Sequence, residues 1–232
     1  MKAMILAAGR GTRLGALTAQ KPKALVEVGG VPLLEIVLAR LRDAGVNEVI
    51  INLHHFASQI EMFLAARKNF GLRIVFSREP QLLDTGGGLK QAAGFFAGAD
   101  PFFVHNVDVL SDIDLPALRR AHVESGALAT LAAMERDTTR PLLFDADSRL
   151  CGRMDSAGAH VVRRGREPLQ RLGFCGIQVI SPPLLSMLTE SGAFSIIASY
   201  LRLAAENHAI FCHRVDGARW RDAGRPENLG AL

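Results

Sequence analysis

Residues 1–28 read MKAMILAAGRGTRLGALTAQKPKALVEV, and the fold follows from this stretch. Met4, Ile5, Leu6 and Ala7 form a short apolar run of the kind that makes a buried parallel strand. The run breaks directly into Ala8-Gly9-Arg10-Gly11-Thr12-Arg13, so strand becomes loop with no linker between them. Glycines at 9 and 11 let backbone N–H groups approach a ligand without a Cβ in the way, and Arg10, Arg13, Lys21 and Lys23 surround that backbone with cations. Such a loop suits phosphate groups; its bland counterpart is a solvated Gly/Arg connection between strand and helix.

Two familiar phosphate loops come close in pattern, and neither fits. A dinucleotide fingerprint needs Gly-x-Gly-x-x-Gly, whereas the sixth position here is Leu14 and the next glycine is Gly15, which disfavours a Rossmann dehydrogenase. A P-loop closes on Gly-Lys-Ser/Thr, a tripeptide the chain does not contain. What the stretch resembles is the signature of the sugar-1-phosphate nucleotidyltransferases, the NDP-sugar pyrophosphorylases. It carries their first block as Leu6-Ala7-Ala8-Gly9-Arg10-Gly11-Thr12-Arg13-Leu14, then Leu17-Thr18, and their second as Pro22-Lys23-Ala24-Leu25. Two matched blocks at the family's spacing are far more specific than one glycine loop. The family's Gly-x-Pro-Leu follows as Gly30-Val31-Pro32-Leu33.

Composition sets the outer limits. A chain of 232 residues has room for one large α/β domain with a full core, which gives the expectation of a single domain over 1–232. Its 49% hydrophobic and 22% charged residues are those of an ordinary globular protein, so disorder is not expected. The net charge of +4 is modest and its cations are interspersed with carboxylates, which implies an acidic small substrate and no nucleic acid. Cys151, Cys175 and Cys212 are odd in number and far apart, so neither a disulfide framework nor a zinc site follows, and buried apolar roles are expected. No apolar run has membrane-spanning length and the amino terminus lacks the zones of a signal peptide. A reducing cytoplasm, no membrane partner, and a monomer or homodimer are the expectations.

Along the chain, strand and helix alternate. Ala24–Val28 reads as a short extended piece ending at Gly29-Gly30. Pro32 opens a helix with Leu34, Val37, Leu38 and Leu41 on one face and Gly45 as its stop. Strand Glu48–Leu53, helix Phe56–Arg67 and strand Leu72–Ser77 follow. This rhythm predicts an α/β fold with a doubly wound, mostly parallel Rossmann-like sheet, helices on both faces, and ligands at the carboxyl ends of the strands. Three glycines, Gly86 to Gly88, precede an apolar helix expected over Leu89–Phe96, and close backbone approach explains them better than capping. Strand Pro101–Val104 runs into His105-Asn106-Val107-Asp108, where an acidic residue at a strand end is suited to a divalent cation. Asp112 and Asp114 read as the start and cap of a helix over Leu115–Ser125, and His105 as a packing or supporting residue.

From Ala127 the texture changes to short strands, Leu128–Met134, Leu142–Phe144, Leu150–Met154, Ala159–Val162 and Gly173–Ile180, separated by turns. Residues 1–126 thus read as a nucleotide-binding half and 127–232 as a smaller, mixed-sheet part for the sugar phosphate. Arg163, Arg164, Arg166 and Arg171 make the densest cationic run, on a loop that is either solvated or a phosphate clamp. Helices Leu184–Leu188 and Ser195–Asn207, a strand Ala209–Val215, and the block Trp220-Arg221-Asp222-Ala223-Gly224-Arg225-Pro226-Glu227 complete the pattern. That block resembles the family's Trp-x-Asp-x-Gly-Thr/Lys-Pro-Glu.

The resemblance, which covers essentially the whole chain, implies a nucleotide-diphospho-sugar transferase (GT-A-like) fold. It implies Mg²⁺-dependent transfer of a nucleotidyl group from an NTP to a sugar-1-phosphate, with release of pyrophosphate. Asp108 and Asp222 would hold the metal, Arg13 the triphosphate, and Lys23 the attacking or α-phosphate. Leu6, Ala7, Ala8, Gly9, Gly11, Thr12, Gln81, Thr85, Gly86, Gly87 and Asn106 would join Arg13 and Lys23 around the nucleotide. Gly176, Asp108 and Trp220 would face the sugar. Val107, Arg221 and Arg225 depart from the family's usual residues beside the metal. Length resembles the N-acetylmuramate-1-phosphate uridylyltransferases and the short mannose- or heptose-1-phosphate guanylyltransferases equally, and the appended β-helix of some relatives is not expected. A non-catalytic, nucleotide-sugar-binding regulatory subunit of the same fold is the alternative, opposed by the presence of Arg13, Lys23, Asp108 and Asp222.

Overall fold

The computed structural model describes residues 1–229. In chain order the regular elements are β1 (Lys2–Leu6), β2 (Glu27–Val28), β3 (Val31–Pro32), α1 (Leu33–Asp43), β4 (Glu48–Leu53), α2 (Ala57–Ala66) and β5 (Arg73–Arg78). Then come α3 (Asp84–Gln91), β6 (Phe102–Asn106), β7 (Val109–Ser111), α4 (Leu115–Ser125), β8 (Ala129–Met134), β9 (Leu142–Phe144), β10 (Leu150–Asp155) and β11 (Gly158–Val161). The last are β12 (Gln170–Ile180), α5 (Pro183–Ser186), α6 (Ile196–Ala205), β13 (Ile210–Arg214) and β14 (Trp220–Asp222).

One ten-stranded sheet runs through both halves in the order β11-β10-β9-β12-β6-β1-β4-β5, with β8 on β12 and β13 on β8. The β6-β1-β4-β5 block is parallel, as expected of strands linked by helices. Strand alternation sorts the core into two layers. Ala3 and Ile5 of β1 pack with α1, α2 and α4 residues such as Leu38, Leu64 and Leu118, while Met4 packs on the opposite face with Leu89 of α3 and Tyr200 of α6. Helices on both faces therefore follow from the sequence of β1 itself.

Strand β12 joins the halves. Its carboxyl end, Ile177–Ile180, pairs antiparallel with β6, and its amino end, Gln170–Leu172, pairs with β9. Between them the register against β8 shifts at Phe174/Gln178, and Gly176 adopts φ +74°. The mixed part is thus an extension of the parallel sheet across a bulge.

Three local expectations are corrected. Gly86, Gly87 and Gly88 lie inside helix α3 rather than ahead of it, and the expected helix over Leu89–Phe96 is the end of α3 followed by a 3-10 turn at Ala93–Phe96. Protein atoms fill the space above these glycines, so packing overrides their poor helix propensity. Lys23–Leu25 is a 3-10 turn, which leaves only Glu27–Val28 extended. Asp114 caps α4 by accepting from Ala117 N–H at 2.8 Å, whereas Asp112 instead pairs with Arg219 at 2.7 Å. All three cysteines are free and buried, as expected. Among the described residues no helix is long and apolar enough to cross a membrane.

Candidate active site

The carboxyl ends of β1, β4 and β6 open into a cavity of about 400 Å³. One wall is the first loop, with Leu6, Ala8, Gly9 and Lys23; the opposite wall is Glu79, Leu82, Asp84, Thr85 and Ala193; Asn52, Asn106, Val107 and Asp108 lie between them. The two signature blocks are physically tied. Thr18 Oγ1 donates to Gly11 O at 3.0 Å, and a Cβ on Gly11, at φ +67°, would stand 3.0 Å from both Lys23 Cβ and Thr18 Cγ2. Leu14, the residue that broke the dinucleotide pattern, is buried with Val26, Leu33, Leu110 and Ala223 and anchors the loop to the core.

Four charged groups converge at the cavity's edge: Lys23 and Asp108 line the cavity, and Arg13 and Asp222 lie beside them. Asp108 follows β6, and β7 begins immediately after it. Antiparallel pairing sets Asp222 of β14 opposite Val109, and Ala223 N–H donates to Asp108 O at 2.8 Å. Lys23 Nζ forms an ion pair with Asp108 Oδ2, and Arg13 Nη1 lies 3.5 Å from Asp222 Oδ2. The first pair is the more enclosed: its side chains are 12% and 15% exposed, against 52% and 33% for the second. A Cβ built on Gly224 would stand 2.6 Å from Arg13 Nη2, 2.7 Å from Asp222 Oδ1 and 3.2 Å from Asp108 Oδ2. The absence of a side chain at Gly224 leaves open the space that both carboxylates face. Two carboxylates completed by phosphate oxygens and water are the donor set that suits Mg²⁺. No group of three or more potential side-chain ligands is found among the described residues.

One departure from the family pattern, Val107, is accommodated by the core. Val107 sinks its side chain into the core, 2% exposed, while its N–H donates to Leu6 O at 3.1 Å. Gly176 is required by close approach, since a Cβ there would lie 2.9 Å from Asn106 Nδ2. Trp220 Nε1 donates to Cys175 O at 2.8 Å, and the Arg136 guanidinium stacks 4.2 Å above its ring. His105 is fully buried, and burial first of all pushes its pKa down to about 4, so it is a neutral packing residue. Burial likewise pushes Cys175 and Cys212 up to about 12, which leaves them inert as nucleophiles.

Several expected contacts are placed elsewhere. Gln81 is exposed and does not line the cavity, and neither do Ala7, Gly11, Thr12, Arg13, Gly176, Trp220 and Asp222. Gly86 and Gly87 are buried, with their N–H groups donated to Phe194 O at 2.9 and 3.3 Å. The Thr85 hydroxyl accepts from Ile196 N–H at 3.0 Å, although Thr85 does line the cavity. The N–H groups of Ala7 and Ala8 are taken by Asn52 Oδ1. In the cationic run, Arg163 pairs with Asp145 at 2.6 Å and Arg166 with Asp147 at 2.5 Å; none of its four arginines lines the cavity. Sequence reasoning missed Asn52, Glu79, Leu82 and Ala193. The one available signal was Asn52, a polar residue inside the apolar run Ile50-Ile51-Asn52-Leu53.

Comparison with known proteins fits this geometry. Residues 3–173 match the MobA-like NTP transferase domain. The N-acetylmuramate alpha-1-phosphate uridylyltransferase of Neisseria meningitidis serogroup B is 35% identical over 97% of this chain and 93% of its own length. The Caulobacter vibrioides enzyme of the same name is 33% identical over 97% and 92%. A mannose-1-phosphate guanylyltransferase catalytic subunit beta from Drosophila pseudoobscura pseudoobscura is 30% identical over 98% of this chain but only 60% of its own. HddC from Yersinia pseudotuberculosis, solved with GMP-PN, has a TM-score of 0.78 at 23% identity over 98% of this chain and 96% of that one. A UDP-glucose pyrophosphorylase solved with UDP-glucose reaches 0.80 at 17% identity over 98% and 95%. With the signature loop, the converging Asp108 and Asp222, and this breadth of match, the chain belongs to the MobA-like NTP transferase family and is, within it, a sugar-1-phosphate nucleotidyltransferase.

Proposed function

We propose that the protein transfers the uridylyl group of UTP to N-acetylmuramate-1-phosphate, releasing pyrophosphate and forming UDP-N-acetylmuramate, with Mg²⁺ as cofactor. One observation carries the choice of base and sugar. The two uridylyltransferases match over more than nine-tenths of both chains, whereas the guanylyltransferase extends well beyond the matched region. Arg136 supports an acidic acceptor: among the described residues no carboxylate pairs with its guanidinium, which stacks on Trp220 two residues from Asp222. The lactyl carboxylate of N-acetylmuramate is a group such a cation would receive.

In this reading a phosphate oxygen of the acceptor attacks the α-phosphorus of UTP. The new P–O bond forms as the bond from that phosphorus to the bridging oxygen breaks, and the electron pair leaves with pyrophosphate. The acceptor brings its own anionic nucleophile, so no side chain has to serve as one. Asp108 and Asp222 would hold Mg²⁺, which when bound supplies positive charge to the phosphate oxygens. Lys23, enclosed at the cavity wall, neutralises the α-phosphate and fixes it for in-line attack, and the more exposed Arg13 receives the outer phosphates. Each ion pair exchanges its partner for one of opposite charge, so no buried charge is left uncompensated.

Pyrophosphate release from UTP, GTP, CTP, dTTP and ATP against the 1-phosphates of N-acetylmuramate, mannose, glucose and heptose tests the reading. Turnover restricted to UTP with N-acetylmuramate-1-phosphate, lost in EDTA and restored by Mg²⁺, is the expected result. Turnover with another pair, or turnover indifferent to EDTA, would contradict it.

A further inference from the structure

Asn52 and Glu79 have no part in the chemistry above, yet both line the cavity and both are 3% exposed. Asn52 Oδ1 accepts from Ala7 N–H at 2.7 Å and from Ala8 N–H at 3.3 Å. Its Nδ2 donates to Glu79 Oε1 at 2.7 Å, and Glu79 Oε2 accepts from Leu83 N–H at 3.0 Å. The backbone of Glu79 is itself fixed, with its N–H on Leu53 O at 2.7 Å and its carbonyl oxygen 2.8 Å from His54 Nδ1. No cation among the described residues pairs with this buried side chain, and its two oxygens are held by hydrogen bonds. Gly88 makes room for the pair: a Cβ there would lie 2.6 Å from Glu79 Oε1 and 2.8 Å from Asn52 Nδ2.

We propose that Asn52 and Glu79 are positioning residues, a polar relay that sets the spacing of the cavity's two walls. At one end it holds the Ala7–Ala8 backbone of the first loop, and at the other the Leu83 backbone between the wall residues Leu82 and Asp84. Because each group is buried and bonded to a fixed partner, the relay has a preferred arrangement that sets the walls before a nucleotide arrives. The proposal rests on reading this cavity as the nucleoside triphosphate site. It goes beyond that reading in assigning the walls' separation to two side chains that move no proton and hold no metal.

The direction of the relay can be reversed without changing its size or charge. In the Asn52→Asp/Glu79→Gln double variant, the carboxylate introduced at position 52 accepts from Ala7, Ala8 and the new amide, and the amide oxygen introduced at position 79 accepts from Leu83. Asn52→Asp alone sets two carboxylates against each other; Glu79→Gln alone leaves Leu83 N–H and an amide N–H competing for space. Each single variant is expected to raise KM for UTP about tenfold, the cost of a buried polar group left without its hydrogen bond, with KM for the sugar phosphate within about twofold of wild type. The double variant is expected to return KM for UTP to within about threefold of wild type. Effects that multiply in the double variant, single variants that behave as wild type, or equal rises in both KM values would overturn the relay.

Wild-type turnover, measured first, tests the site reading separately, and whichever nucleotide is a substrate replaces UTP in the cycle. If a single variant does not fold, amide hydrogen exchange on the wild type carries the test. Ala7 and Ala8 are expected to be protected before nucleotide is added, and exchange at the rate of an open loop would overturn the proposal.

Discussion

One glycine and a run of three lie at the same cavity for opposite reasons. Gly9 lines it, and a Cβ built there would meet no atom within 4 Å. Gly86, Gly87 and Gly88 lie behind its other wall, where a Cβ would stand 2.3 Å from the Phe194 ring, 2.5 Å from Gly192 O and 2.6 Å from Glu79 Oε1 respectively. The first glycine borders space a ligand can enter; the others are needed by the protein itself, which brings the 192–196 segment against Gly86 and Gly87 and the Asn52–Glu79 pair against Gly88. A glycine-rich motif therefore marks close approach without saying what approaches. Only the location of the empty space separates a binding loop from a packing device.

The largest expected effect lies outside both groups and sets the scale for them. Asp108→Asn should lower turnover by about 10²–10³-fold or more while UTP binding by calorimetry stays within a few-fold, because in the proposed mechanism this residue holds the Mg²⁺ that meets the developing charge. Next is Gly86→Ala, which should destabilise the protein by about 1–3 kcal/mol in urea unfolding, since the Phe194 ring has to move. Adding Phe194→Ala should recover part of that loss, a coupling that separates steric conflict from helix propensity, which alone favours alanine. Gly9→Ala should do the reverse, changing stability by no more than about 0.5 kcal/mol and weakening UTP binding. If Gly86→Ala weakens nucleotide binding without loss of stability, the contrast between the two groups fails.

Smaller effects test the acceptor side and the core. Arg136→Ala should raise KM for N-acetylmuramate-1-phosphate about tenfold and leave the inhibition constant of N-acetylglucosamine-1-phosphate, a competitor without the carboxylate, nearly unchanged. Burial first of all pushes both His105 and His122 down to about 4 from 6.5, so each is neutral in the fold. The unfolded chain then binds protons that the native state refuses, and stability should fall as pH drops from about 6.5 toward 4. His122 bonds Thr130 Oγ1 and Ser181 Oγ, each at 2.9 Å, and His122→Gln should flatten part of that slope in a series of thermal melts.

Much of this was legible in the sequence, for physical reasons. The alternation inside β1 sets which residues face which helix layer, and the loop after it has the Gly/Arg chemistry of a phosphate site. Asp108 and Asp222 could be paired by resemblance alone, but their convergence depends on β14 finding β7, a long-range antiparallel contact with no local signal. The glycines of α3 were misplaced because propensity assigns them to a loop, whereas tertiary packing keeps them helical. Asn52 and Glu79 were missed because a buried polar pair is defined by its partner. They are 27 residues apart in the chain and meet only once β4 and the turn after β5 are in place.

The most direct test of the function is a competition. UTP and GTP at equal concentration are offered together with N-acetylmuramate-1-phosphate and mannose-1-phosphate in Mg²⁺, and the products are read by mass spectrometry, which reports ratios of kcat/KM. UDP-N-acetylmuramate as the dominant product is the result expected here. A dominant GDP-mannose, or a mixture in proportion to supply, would contradict the assignment of base and sugar.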